Sequence, residues 1–370
     1  MTASNCTEWD YHSLLHDQPV ATIFSGLYTI VGCISLIGNA LVLLIVCSGK
    51  DTKTTTNVFV SHLALSDIMI TLTSLWLTPL YAFSGDWTYG WMMCKLWNGI
   101  TTAGILISSF TLLSIAIDRY LLIVRHRSFQ NRPALYGSII TGIWLTAGII
   151  ALPCSLNSYL ISIPGCTKKH SFCINTWHPS YGRVLYGCFI LLVKSIVPFA
   201  LIFASYYKIN QTLLEQYHKL RNCRSKRGSA LIIQKSQRLQ KVLMLMVFVY
   251  GICSIPMDMV NLVKDVSWYV RSHGFFDNDI KQTITLSSHL VAMTALLWNP
   301  LLYAFFNENI RREIRSSISD ASNNVTTMYS YVRSISHIMT SPAATNSAEF
   351  YTQDKERCSI ELVPLSRNFK

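Results

Sequence analysis

Ile115-Ala116-Ile117-Asp118-Arg119-Tyr120-Leu121-Leu122 sets an acid, a guanidinium and a phenol near one end of an apolar run that extends over residues 92–124. An unpaired charge inside hydrocarbon costs at least ~2.5 kcal/mol on insertion scales, so Asp118 and Arg119 must lie near a membrane interface, pair, or serve a function. Six more apolar runs cover 22–47, 57–83, 135–157, 182–209, 239–266 and 283–306. Each reaches the roughly 20 residues that a helix needs to cross a bilayer. With 51% hydrophobic and only 14% charged residues, the composition is that of one membrane domain rather than two soluble ones. The expected fold is an all-α membrane protein, a seven-transmembrane helix bundle over 22–306.

Basic residues orient it, because short cytoplasmic loops retain Lys and Arg. The first 21 residues contain neither, whereas one set of connections holds Lys50 and Lys53, then Arg125, Arg127 and Arg132, then Lys219 to Lys235, and Arg311, Arg312 and Arg315 follow the last run. Residues 1–21 are therefore expected outside the cell and the C-terminus inside. The net charge of +12 becomes a collar beside anionic membrane lipid, and nucleic acid is not an expected partner. Of eleven cysteines, Cys6, Cys94, Cys166 and Cys173 fall on the outer side, where disulfides persist, and four allow three pairings. Cys94 with Cys173 is favoured, because Cys173 precedes the fifth run at a distance that suits a loop tied over the bundle. Cys6 with Cys166 would be the second bridge. The five cysteines inside the runs read as small packing residues. Asn5-Cys6-Thr7 is a glycosylation sequon on the outer face, at Asn5.

Signatures recur in every run. They are Gly38-Asn39, Leu63-Ala64-Leu65-Ser66-Asp67, Trp87 before Cys94, Asp118-Arg119-Tyr120, Trp144, Pro198 with Tyr206, Cys253 with Pro256, and Asn299-Pro300-Leu301-Leu302-Tyr303. As an ordered set over residues 20–316 they resemble the rhodopsin-like (class A) G-protein-coupled receptors. Within that family the second and third runs are somewhat similar to melatonin receptors and to the insect receptors moody and trapped-in-endoderm.

The resemblance implies a plasma-membrane receptor, not an enzyme, that passes binding of an extracellular ligand to a heterotrimeric G protein of Gi/o or Gq type. It assigns G-protein coupling to Asp118, Arg119 and Tyr120, and the activation switch to Tyr206, Tyr250, Pro256, Asn299, Pro300 and Tyr303. It also gives Asp67, Ser108 and Asn299 as an allosteric sodium site, whose oxygens suit a hard cation. One usual polar ligand is missing there, since Ala295 and Leu296 fill the turn before Asn299, and coupled water is the alternative. No other cofactor is expected. A seven-span channel or transporter is the rival reading; internal repeats would favour it and none is visible.

Two charges are private to this sequence. Lys194 lies about 11 residues below the start of the fifth run and Asp258 about ten below the end of the sixth, so both sit ~15 Å beneath the outer surface. In the family fold those helices are neighbours, and the pair is either an internal salt bridge or a grip for a charged ligand, a neuropeptide or a small charged or lipid-like molecule. Thr101 and His289 are carried over as further ligand-binding residues. Thr101 stands where amine receptors resemble one another in carrying aspartate, which argues against a biogenic amine. The seventh run has no lysine for a retinal Schiff base. The outer loop 157–181, with Lys168, Lys169, His170 and His178, reads equally as a lid or as a peptide-docking surface.

After Tyr303, apolar residues at 305, 306, 310 and 314 predict an amphipathic membrane-surface helix over 307–316. The tail 317–370 is polar and aperiodic and is expected to be disordered, with phosphorylation by a receptor kinase recruiting an arrestin. The chain departs from its family at Ser254, where a tryptophan is usual, and at Ser236, where many relatives carry an acid that restrains the third-span arginine. Raised ligand-independent G-protein turnover is therefore expected, and Ser236→Glu should lower it; equal turnover in the two proteins would remove this reading.

Overall fold

A computed structural model describes residues 18–48, 55–127, 133–164, 169–221, 227–270 and 278–306. Its helices are α1 (Gln18–Ser48), α2 (Thr55–Ile70), α3 (Trp76–Ser84), α4 (Gly90–Ile123), α5 (Pro133–Leu156), α6 (Tyr181–Leu191), α7 (Val197–Arg221), α8 (Arg227–Val270) and α9 (Asn278–Phe306). Two π-helical turns, Thr71–Leu75 and Leu192–Ile196, join α2 to α3 and α6 to α7 without a break, so the helices make seven spans. Six are long and apolar enough to cross a membrane on length and hydropathy. The seventh, α9, has 29 residues, but Thr283, Ser287, Ser288, His289 and Asn299 dilute its apolar character. The seven-span bundle expected from the sequence is present.

The surface is the reverse of a water-soluble protein's. Along α1 the residues Ile23, Leu27, Ile30, Ile34, Ile37, Leu41 and Leu44 are all exposed, while Ser35 and Asn39 are fully buried. A 3.6-residue period with the apolar side outward is what lipid rather than water selects, and polar groups must then find partners inside. Asn39 does so, donating to the Ser35 carbonyl at 2.9 Å and across to the Leu296 carbonyl on α9 at 3.0 Å. Of the cysteines within the spans, Cys253 is buried and Cys154 half-buried, but Cys33, Cys47 and Cys188 are exposed. The packing role expected for all five therefore fails for those three, whose sides of the helices face outward.

α4 is the central element, packed against α2, α5 and α7, while α8 and α9 lie together and α9 returns to α1. It fits so tightly because of Gly104: a Cβ there would come within 2.6 Å of Ile70 Cγ1. At the outer end, α3 stops at Gly85, whose φ of 62° is the left-handed cap that glycine adopts at least cost.

An antiparallel hairpin, β1 (Ser158–Pro164) with β2 (Lys169–Asn175), covers the outer end of the bundle, with Leu160 opposite Cys173. Cys173 is disulfide-bonded to Cys94 at the start of α4, as favoured from the sequence. Trp87 clamps the same hairpin: its amide donates to the Ser171 carbonyl at 2.7 Å, and its buried ring stacks on Trp97 and meets Tyr81 edge-on. Cys6, Cys166, Asn5, the helix expected at 307–316 and the tail 317–370 all lie outside the described residues.

Overpacking of this kind costs about 1–3 kcal/mol. Gly104→Ala is expected to lower the thermal midpoint of the purified receptor, and to have little effect in an Ile70→Ala background; equal losses in both backgrounds would show that the contact is not the cause.

Candidate functional site

Beneath the hairpin lies a cavity of about 510 Å³ lined by α3, α4, α6, α8 and α9, with Asn175 and Trp177 at its mouth. All four sequence-derived ligand residues, Thr101, Lys194, Asp258 and His289, line it, as does Tyr250. Lys194 lies in the π-turn Leu192–Ile196, and its carbonyl accepts a hydrogen bond of 2.5 Å from Ser109 on α4. Its ammonium donates to Asp258 Oδ1, and Ser195 Oγ donates to Oδ2 at 3.0 Å. The depth-matched charges therefore meet, and the carboxylate has a donor on each oxygen, which is how a buried ion pair offsets its desolvation.

His289 has both ring nitrogens engaged. Tyr28 Oη lies 2.9 Å from Nδ1, and Ser74 Oγ lies 3.0 Å from Nε2. It thus ties α1, the second span and α9 together as well as facing the cavity. Thr101 Oγ1 and Trp97 Nε1, one turn apart on α4, are buried with no hydrogen-bond partner among the described residues. A second ion pair, Arg183 Nε to Asp265 Oδ1 at 2.6 Å, closes the outer rim, and Arg183 also donates to the Asn175 carbonyl at 3.0 Å. The sequence reading passed over this pair, although the same depth matching that found Lys194 and Asp258 would have found it.

Ser254 stands where the family usually has tryptophan, and its hydroxyl bonds back to the Tyr250 carbonyl at 2.8 Å. With no indole present, the floor of the cavity falls to Tyr250, whose hydroxyl donates to the Ile105 carbonyl at 3.4 Å and whose ring packs on Phe199. Pro256 lies within α8 just outward of it.

Midway through the bundle the fully buried Asp67 accepts from Asn299 Nδ2 at 2.8 Å and from Ser108 Oγ at 3.2 Å, and Ser108 also contacts Ser66 Oγ at 2.9 Å. The donor set is one carboxylate with hydroxyls, which fits a hard monovalent cation in kind. The fit is incomplete, because both carboxylate oxygens already accept hydrogen bonds and Asn299 offers its amide nitrogen. For Asn299 to become a ligand its amide would have to turn and present the oxygen. Pro300, also buried, lies in the interior of α9.

At the inner end, Asp118 is buried and Arg119 half-buried. Thr56 of α2 joins them: its hydroxyl donates to Asp118 Oδ2 at 3.3 Å and accepts from Arg119 Nη2. The sequence reading named Asp118 as the main charged restraint on Arg119 and did not include Thr56; a threonine at a span's start carries no distinguishing sequence signal. Tyr120 is half-buried and Tyr206 buried. The side chains of Tyr303 and Ser236 lie outside the described residues.

Residues 38–303 match the family model of the 7 transmembrane receptor (rhodopsin family). The chain is 27% identical over 297 residues to the mouse (Mus musculus) neuropeptide Y receptor type 6, covering 78% of each protein. It is 26% identical over 353 residues to neuropeptide receptor npr-1 of Caenorhabditis elegans, covering 84% of this chain and 77% of that one, and 26% identical to the mouse neuropeptide Y receptor type 4, over 79% and 77%. A membrane-spanning bundle with a charged cavity at one end, an Asp-Arg-Tyr cluster at the other and a family match across all seven spans has one explanation: the chain belongs to the rhodopsin family of seven-transmembrane receptors, multi-pass membrane proteins that couple extracellular ligands to G proteins and are not enzymes.

Proposed function

We propose that this is a plasma-membrane receptor with its N-terminus outside, that its ligand is a neuropeptide, and that it drives nucleotide exchange on a heterotrimeric G protein, of Gi/o or Gq type. The observation that carries the peptide reading is the cavity's charge. Two ion pairs, Lys194 with Asp258 and Arg183 with Asp265, face a space of about 510 Å³ that also holds the unpartnered Thr101 hydroxyl. A peptide brings charged side chains and backbone amides that can exchange with such pairs and occupy such groups. A purely apolar ligand would leave them without a role in recognition. The relatives named above are neuropeptide receptors, which supports the same choice. The hairpin, tied by Cys94–Cys173 and clamped by Trp87, then acts as a fixed docking surface beside the mouth.

Binding is transmitted inward through Tyr250 and Pro256 of α8 and through Asn299 and Pro300 of α9, where each proline removes a backbone hydrogen bond and gives its helix a place to bend. Arg119 is the coupling residue, held at rest by Asp118 and Thr56. Sodium at Asp67, Ser108 and Asn299 belongs to the same reading and needs the Asn299 amide to turn. Arrestin and receptor-kinase action on the tail belong to the same reading.

Neuropeptide panels read by several G-protein biosensors test the ligand and the coupling together. With an active peptide in hand, exchange of the pair in the double variant Lys194→Asp with Asp258→Lys should leave surface expression intact and cost at least about tenfold in potency; unchanged potency would make the pair purely structural. Arg119→Ala should abolish coupling while peptide binding persists, and a coupled Arg119→Ala receptor would overturn the assignment of the switch.

A further inference from the structure

A second cavity, of about 860 Å³, opens on the lipid-facing side of the bundle between α7 and α8. Its wall is almost wholly apolar, including Phe199, Phe203, Phe248, Gly251 and Ile252. Phe203, Phe248 and Ile252 are exposed, so the groove opens toward the membrane rather than the core. The floor is shaped by Gly251, where a Cβ would lie 3.2 Å from the Phe199 ring.

The two ends differ. One holds Asn210 and Lys241, both exposed; no carboxylate among the described residues lies within ion-pair distance of Lys241. The other ends on Ser195 and Asp258, so the carboxylate that pairs with Lys194 borders both the central cavity and this groove. By helical rise the ends are about 22–25 Å apart. One leaflet of a bilayer, half the hydrocarbon plus one headgroup layer, is about 20–22 Å thick. Length, apolar wall and a single cationic end therefore match one lipid molecule lying in one leaflet.

We propose that the α7–α8 groove is a binding site for one anionic glycerophospholipid of the inner leaflet. Its phosphate meets Lys241 and Asn210, and an acyl chain runs along Phe203, Phe248 and Ile252 toward Ser195. The choice of leaflet rests on the N-outside orientation proposed above. Because the chain touches both helices and ends beside Ser195 and Asp258, any ligand that changes the Lys194–Asp258 pair changes the lipid's contacts. By linkage, lipid occupancy must then change ligand affinity by the same factor.

The test uses the full-length receptor in nanodiscs of phosphatidylcholine carrying a phosphatidylserine with a photoactivatable acyl chain. Labelled peptides should map to α7 and α8 around Phe203, Phe248 and Ile252, and excess unlabelled phosphatidylserine, but not phosphatidylcholine, should compete. One lysine beside an anionic headgroup is worth about a fivefold change in occupancy, so Lys241→Gln should lower groove labelling by about that factor. Ile252→Trp, which fills the groove from its lipid-facing wall, should abolish labelling there while leaving labelling of α1 and α5 unchanged. Labelling that is equal with both lipids, or insensitive to both variants, would show ordinary boundary lipid and overturn the site. Competition by cholesterol but not by phosphatidylserine would overturn the choice of occupant. Protease protection of the N-terminus, scored separately, tells a wrong orientation from a wrong site.

Discussion

Asp67 is the constraint on which the bundle's register depends. A fully buried carboxylate at membrane depth is cut off from bulk water, and donors from neighbouring spans take its place. They come from Ser108 on α4 and Asn299 on α9. Those bonds fix the axial positions of three spans at once, since a slide of one helical turn would strand the charge, and stranding a buried charge costs several kcal/mol. Close packing elsewhere follows from that register. Gly104 lies one turn outward of Ser108 and admits Ile70 of the second span, and the Asn39 bond to Leu296 brings α1 against α9 one turn outward of Asn299.

The same rule shapes the outer half, with irregular backbone as the means. The π-turn Leu192–Ile196 interrupts the fifth span, and within it the Lys194 carbonyl accepts from Ser109 of α4. The second span has the matching device, a π-turn at Thr71–Leu75 in which Thr71 bonds back to the Asp67 carbonyl at 2.7 Å and Ser74 reaches His289. π-turns of this kind concentrate at functional sites. Here each one delivers a polar side chain to the cavity wall that a regular helix would direct elsewhere.

How much of this was legible in the sequence depended on depth and period. The seven spans follow from run length, and the meeting of Lys194 with Asp258 from counting residues inward together with the resemblance, which makes the fifth and sixth helices neighbours. The disulfide Cys94–Cys173 was legible because Cys173 precedes the fifth run at a distance that suits a loop tied to the start of the third. Thr56 and the exposed positions of Cys33, Cys47 and Cys188 were not, because each depends on the rotation of a helix about its own axis, and α2 has almost no amphipathic asymmetry to reveal it. The π-turns were hidden as well, since a one-residue insertion leaves composition unchanged while it turns every side chain beyond it.

At the inner end the order of donors decides what kind of restraint Arg119 feels. Thr56 accepts from the guanidinium and donates to the Asp118 carboxylate, so its hydroxyl is polarised in one direction and each bond strengthens the other. Thr56 belongs to α2, so both contacts cross from one span to the next. The Thr56 contacts to Arg119 and Asp118 therefore join the second and third spans, which are packed together. With serine rather than an acid at position 236, the sequence adds no obvious charge there. The Thr56 contacts thus tie Asp118 and Arg119 to α2, the helix whose spacing from α4 Asp67 and Ser108 already set.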